Sequence, residues 1–329
     1  MEKYFCIVTT IQSRMNQWGK EQIPFVFLID FECKKPMVWK WDDAESIFQF
    51  KFDGVTNQKK GNANNLIKNN IDFKFDKLPI SFDAYKIKFD QIKKEIEIGN
   101  SFLINLTAKT KLKLKYSISE IFNLVNAKYT CYLKNEFVCF SPETFVKIKD
   151  GKIYSYPMKG TIDASIPDAK NIILQDEKEI SEHATMVDLI RNDLSRISNN
   201  VKVNRYRYYE EIETQDGNLG QVSSEIMGEL VNNYNEKLGD IIFDLLPAGS
   251  ISGAPKQKTA QIIATVESEE RGYYTGIAGY YDGTTLDSTV LIRYLQNDGY
   301  YRSGGGITCN SNVHSEYHEM IDKVYVPIF

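Results

Sequence analysis

The stretch from Phe145 to Thr161 is the strongest single constraint on how this chain can fold. Two short runs flank Asp150-Gly151 within Phe145 to Tyr156, and each alternates in polarity. A two-residue Asp-Gly connection needs positive φ at both positions and joins antiparallel strands. The spacing therefore predicts a hairpin, and with it an antiparallel sheet. Tyr156-Pro157-Met158-Lys159-Gly160-Thr161 follows directly. Proline cannot donate to a ladder, so pairing is expected to stop at Pro157, and Gly160 permits close backbone approach. Lys159 is left at a strand end, held by the sheet and able to reach a cleft. A solvated turn lysine would look the same in isolation, so the rest of the chain must decide.

Further elements follow from periodicity. Pro24 to Phe31 and Met37 to Trp41 read as strands, and the polar 54–70 stretch as a loop. Tyr85, Phe89, Ile92 and Ile96 recur at helical spacing up to Gly99-Asn100. Ser101 to Leu114 alternates as a long strand, and Ser117 to Glu120 has the form of a capping box. Cys131 to Tyr156 reads as antiparallel strands, broken at Ser141-Pro142-Glu143. Pro167 to Ile197 is helical in two pieces, with Ile180, Ala184, Val187, Ile190 or Arg191, and Leu194 as its stripe. Strands return at Val201 to Thr214 and Val222 to Leu230. A helix at Glu236 to Leu246 and a Gly/Ser/Pro loop lead to another helix from Lys256. Strands from Thr275 end at Ser303-Gly304-Gly305-Gly306, and a helix from Ser315 closes the chain. Antiparallel strands with inserted helices imply an α+β fold.

A net charge of -4 gives no general attraction to nucleic acid or anionic membrane. Apolar runs fall short of the roughly 18 residues a spanning helix needs. The five cysteines are odd in number and form no CxxC pair, which argues against a disulfide framework or zinc site. Met1 to Phe5 lacks the apolar core of a signal peptide. A cytoplasmic protein is expected.

Several residues could carry chemistry. The predicted hairpin brings Glu143 toward Lys159, so a carboxylate could serve as general acid or base beside a nucleophilic amine. A structural ion pair fits the same spacing. Glu182 and Glu319 lie in predicted helices, and facing one cleft they could hold Mg²⁺ with waters and substrate oxygens; singly, either is compatible with surface charge. Gly304, Gly305 and Gly306 offer backbone N–H groups at a strand end, suited to a carboxylate. Arg293, in the predicted strand from Val290, needs an anionic partner. His183, His314 and His318 have no metal-ligand spacing. These parts together suit a small dicarboxylate.

The segments Ser141 to Phe145, Pro157 to Thr161, Glu182 to Leu194, Gly249 to Lys256, Gly276 to Tyr280, Gly304 to Ile307 and Glu316 to Glu319 resemble the chorismate-utilising enzymes, over Phe82 to Phe329. That resemblance implies two antiparallel β-sheets packed as a sandwich with flanking helices. It implies one chorismate-binding catalytic domain over 1–329, with a short N-terminal strand region, about 1–75, packed on it. The lysine in Pro-x-x-Gly-Thr is similar to the aminodeoxychorismate synthase component I branch; the anthranilate synthase component I branch, usually with alanine there, is the alternative.

The resemblance implies that Lys159 attacks C2 of the ring as the C4 hydroxyl leaves, with Glu143 as general acid. Ammonia then attacks C4 and expels the lysine, giving 4-amino-4-deoxychorismate for 4-aminobenzoate and folate synthesis. It implies Glu182 and Glu319 as Mg²⁺ ligands. Gly160, Thr161, Tyr274, Arg293, Gly304, Gly305, Gly306 and Lys323 become substrate contacts. Isochorismate synthases have a water-activating lysine where this chain has Leu103, and Gln221 stands where many relatives have histidine. None of the cysteines sits in the Gly-x-Cys-x-Gly setting of a glutamine amidotransferase, so a separate amidotransferase subunit is the expected ammonia-supplying partner.

Overall fold

The computed structural model describes residues 2–59, 73–214 and 217–328. Most of the polar 54–70 loop expectation therefore lies outside the described residues.

Asp150 and Gly151 take φ of 52° and 71°, and Lys149 pairs with Lys152 across them. The hairpin is as expected, and the sheet grows from it. Among the described residues this first sheet has nine antiparallel strands. In order they are Met158–Asp163, Gly217–Glu229, Lys152–Ser155, Thr144–Lys149, Leu286–Val290, Ile277–Tyr281, Phe25–Ile29 and Met37–Lys40, with Asn199–Thr214 also on Gly217–Glu229. A second nine-stranded antiparallel sheet runs Gly253–Ala254, Leu103–Lys113, Tyr300–Ile307, Tyr294–Gln296, Phe137–Ser141, Tyr129–Leu133, Phe48–Phe52 and Val55–Thr56, with Asp76–Pro79 on Leu103–Lys113.

The sheets share an apolar interior. Val26, Leu28, Ala278 and Tyr280 of the first meet Phe48, Phe50, Tyr129, Cys139 and Tyr294 of the second. Phe25, Phe27 and Ile29 point the other way, into a core with the helices. Both faces of Phe25–Ile29 are thus covered, which explains an unbroken Phe-Val-Phe-Leu-Ile run in an antiparallel strand. On the outer face of the second sheet, Tyr85, Phe89, Ile92 and Ile96 of the Phe82–Glu97 helix are buried beside Leu106 and Ile307. At roughly 1.5–3 kcal/mol per fully buried large apolar side chain, this stripe contributes several kcal/mol to docking. Ser117 and Glu120 form the expected capping box.

Several expectations are corrected. The first element is a helix, Glu2–Lys20, rather than a strand. Its stripe of Ile7, Ile11, Met15 and Trp18 packs on the first core and was readable at i, i+4, i+8 and i+11. The strands of the N-terminal region are not merely packed on the domain but are paired into its two sheets. Phe25–Ile29 lies between Ile277–Tyr281 and Met37–Lys40, and Phe48–Phe52 pairs with Tyr129–Leu133. The buried stripe of the Glu177–Ser195 helix is His183, Met186, Val187, Ile190, Asp193 and Leu194, while Ile180 and Ala184 are exposed. Among the described residues no helix is long and apolar enough to cross a membrane.

Candidate active site

Pro157 interrupts strand pairing without ending it. Pairing with Gly217–Glu229 resumes at Met158 opposite Ser223, and the next aligned pair is Thr161 with Gln221. Lys159 and Gly160 therefore stand against Val222 alone, which is a β-bulge. Such an extra residue bends the strand and re-aims a side chain. Gly160 takes φ of 83°, and a Cβ there would come within 3.0 Å of Glu179 Oε2. Lys159 leaves the ladder and brings its Nζ to 3.7 Å from Glu182 Oε2. Thr161 is back in the ladder and exposed.

Glu143 opens the Thr144–Lys149 strand, where its backbone O accepts from Thr289 Oγ1 at 2.7 Å. Its carboxylate accepts a hydrogen bond from the Ser250 hydroxyl. Burial pushes the Glu143 carboxyl up, against the Ser250 bond and the charges of Lys159 and Lys323, and the net shift is upward. A carboxyl so placed holds its proton better than a free one, as a general acid requires.

Gly304, Gly305 and Gly306 form the third wall. They fall among the last four residues of Tyr300–Ile307, close to the strand end as expected, and are paired in the ladder opposite Thr107, Leu106 and Asn105. What they provide is room. A Cβ at Gly305 would lie 3.3 Å from Glu316 Oε2, 3.4 Å from Glu319 Oε1 and 3.7 Å from Lys323 Nζ. One at Gly306 would lie 2.8 Å from Leu103 Cδ1 and 3.4 Å from Lys159 Nζ. The glycine row is therefore a meeting point for Lys159, Leu103 and the side chains of the last helix.

Glu182 lies on the Glu177–Ser195 helix, and Glu316 and Glu319 on the Val313–Asp322 helix. Lys323 Nζ bonds Glu319 Oε1 at 2.6 Å and Gly304 O at 3.0 Å. Burial alone would raise the Glu319 carboxyl, but Lys323, with Lys159 and Lys178, holds it below its ordinary value. Glu316 is only 3% exposed, and burial pushes it up, against a bond from Ser311 and with the charges of Glu319 and Glu182 adding to the rise. Sequence reasoning assigned no role to Glu316 or Glu179. The i, i+3 pair of glutamates on the last helix was the available signal, since such residues share a face.

The remaining residues are spread. Arg293 sits between two strands with φ of 55°, donates from Nη1 to Lys323 O at 2.6 Å, and stacks 4.5 Å from the Tyr325 ring centroid. It is therefore not inside a strand, and it backs the lysine. Tyr274 is 3% exposed, with its ring 5.7 Å from that of Tyr294, so it forms part of the inter-sheet core. His183 is fully buried with Nε2 2.7 Å from Ser224 Oγ. Burial, then the Arg207 charge, lowers its pKa to about 4, so the ring is neutral at physiological pH.

Among the described residues no three His, Cys, Asp or Glu side chains converge as a metal cage. A magnesium-type site needs fewer protein ligands, because waters and substrate oxygens complete the shell. Glu182 Oε1 and Glu316 Oε1 suit that role. Both are buried, neither has a hydrogen-bond partner among the described residues, and they come from different helices.

Residues 43–328 match the family of chorismate binding enzymes. The chain belongs to that family, whose members act on chorismate. It is 46% identical over 317 residues to an uncharacterized PabA-like protein of Haemophilus influenzae, covering 95% of each chain. It is 31% identical over 265 residues to aminodeoxychorismate synthase component 1 of Bacillus subtilis, covering 75% of this chain and 55% of that one. Its fold matches MenF, the menaquinone-specific isochorismate synthase of Escherichia coli. That match has a TM-score of 0.71 and 16% identity, and covers 95% and 80% of the two chains.

Proposed function

We propose that this protein converts chorismate and ammonia to 4-amino-4-deoxychorismate through a covalent lysine intermediate. The observation that carries this reading is the bulge that removes Lys159 from its ladder and sets its amine at Gly306, beside Leu103. An amine is available there as nucleophile, whereas the neighbouring leucine cannot activate water. Lys159 forms the bond to C2, the ring double bonds shift, and the C4 hydroxyl leaves as water with a proton from Glu143. Ammonia then bonds to C4 and the lysine nitrogen departs from C2 with its electron pair returned. Ser250 keeps the Glu143 carboxyl oriented, and Lys323 and Arg293 supply positive charge for the substrate carboxylates.

Glu182 with Glu316 and Glu319 would hold Mg²⁺, which when bound neutralises the ring carboxylate. Cys131 and Cys139 are buried, and none of the five cysteines has the motif of a glutamine-hydrolysing nucleophile. A glutamine amidotransferase subunit is the proposed ammonia source.

Mass analysis of the product from chorismate, Mg²⁺ and ammonium tests the reaction. Aminodeoxychorismate is expected, and anthranilate with released pyruvate would overturn the assignment. Lys159→Ala should abolish covalent capture of substrate. An adduct surviving in that variant would remove Lys159 as nucleophile.

A further inference from the structure

Lys178 has no part in the chemistry above, yet its ammonium approaches both carboxylate oxygens that lack a hydrogen-bond partner among the described residues. Nζ is 3.8 Å from Glu182 Oε1 and 3.6 Å from Glu316 Oε1. Both distances exceed a hydrogen bond, so Lys178 balances the charges without satisfying the oxygens. The cluster's other two lysines are committed elsewhere. Lys323 is bonded to Glu319 and Gly304, and Lys159 faces the other oxygen of Glu182. The Lys178 side chain is 46% exposed, against 11% for Glu182 and 3% for Glu316. It rises from the first turn of its helix, so its head can swing into water while the acids stay in place.

We propose that Lys178 is a displaceable counter-cation, holding Glu182 and Glu316 together until a divalent cation takes its place. This rests on the reading of the two carboxylates as metal ligands. The geometry favours displacement over co-residence, because an ammonium within 4 Å of both oxygens crowds an ion bound to them and would repel it. Without Lys178, Glu182 keeps Lys159, but Glu316 loses the ammonium facing its unbonded oxygen and the two carboxylates repel. The residue thus has opposite effects on the two states: it steadies the ion-free protein and weakens ion binding. Such linkage is reciprocal. A half-exposed, loosely paired lysine is a small obstacle, so the site remains loadable.

The experiment is a Mn²⁺ titration followed by the loss of free-ion paramagnetic resonance, on wild type, Lys178→Met and Lys178→Arg. Thermal melts with and without Mn²⁺ run in parallel. Lys178→Met keeps the apolar stem and should bind Mn²⁺ roughly three- to tenfold more tightly. It should melt below wild type without the ion and show a larger ion-induced rise. Lys178→Arg should restore values close to wild type. If wild type binds Mn²⁺ and Lys178→Met binds it equally or more weakly, the displacement is wrong and the metal reading stands. If neither protein binds the ion, the metal reading fails and takes the displacement with it.

Discussion

Replacing Gly304 and Gly305 in turn by alanine separates the two jobs of the glycine strand. A Cβ at Gly304 would lie 2.2 Å from Leu106 O and 2.8 Å from Thr107 Cα, both backbone atoms of the paired strand. Neither can retreat without breaking the ladder, so Gly304→Ala is an overpacking change of about 1–3 kcal/mol. The loss of unfolded-state entropy returns about 0.4–1 kcal/mol, leaving a net loss of about 1–2 kcal/mol. At Gly305 the nearest atoms are side-chain tips at 3.3–3.7 Å, so the fold should tolerate alanine with little change. The methyl group would instead intrude among Glu316, Glu319 and Lys323. A misplaced methylene in a fitted pocket changes discrimination by about 1–3 kcal/mol, so kcat/KM should fall about 10- to 200-fold. Urea melts and chorismate turnover on both variants read out the contrast. Normal turnover by Gly305→Ala would refute the placement of substrate along this strand, and wild-type stability of Gly304→Ala would refute the close approach.

Other consequences can be checked independently. Glu143→Gln should cut kcat about 10²- to 10⁴-fold. The same change should raise stability at neutral pH: the folded carboxyl sits above its unfolded value of 4.5, so burying it ionised costs more as pH rises through that range. Urea melts at pH 4 and 7 should show the gain at pH 7 only, and a gain equal at both would sink the argument. For His183 the folded pKa of about 4 lies below the unfolded 6.5, so its contribution is complete above pH 6.5 and is lost as pH falls to 4. The loss amounts to about 3 kcal/mol, and His183→Gln should flatten that part of the stability profile. Arg271 and Glu267 are 2% exposed and paired at 2.6 Å, and Arg271 also donates to the carbonyls of Ile251 and Asn105. Arg271→Met strands a buried carboxylate and should cost about 3–5 kcal/mol in a denaturant melt, with most of it recovered by replacing Glu267 as well.

Much of the architecture was legible because its signals are local. The Asp150-Gly151 turn, the Ser117 capping box and the Tyr85 to Ile96 stripe each involve residues within a few positions of one another. The errors arose where position depends on partners distant in sequence. Ile180 and Ala184 complete a plausible stripe, but the face that meets the sheet is the one carrying His183 and Met186. Arg293 reads as a strand residue from Val290-Leu291-Ile292, yet it takes a left-handed turn that carries the chain from one sheet to the other.

A lysine two positions after Pro157 and next to Gly160, within a set of motifs that define a chorismate enzyme, is legible in the sequence alone. Where this lysine stands is set by the tertiary structure, because a bulge against Val222 turns it out of its ladder and toward Glu182 and Gly306. The tertiary structure also makes Glu316 the more buried acid of the last helix and pairs Glu319 with Lys323. Backbone preferences are encoded over a few residues, whereas burial and charge pairing depend on which distant segments arrive beside them.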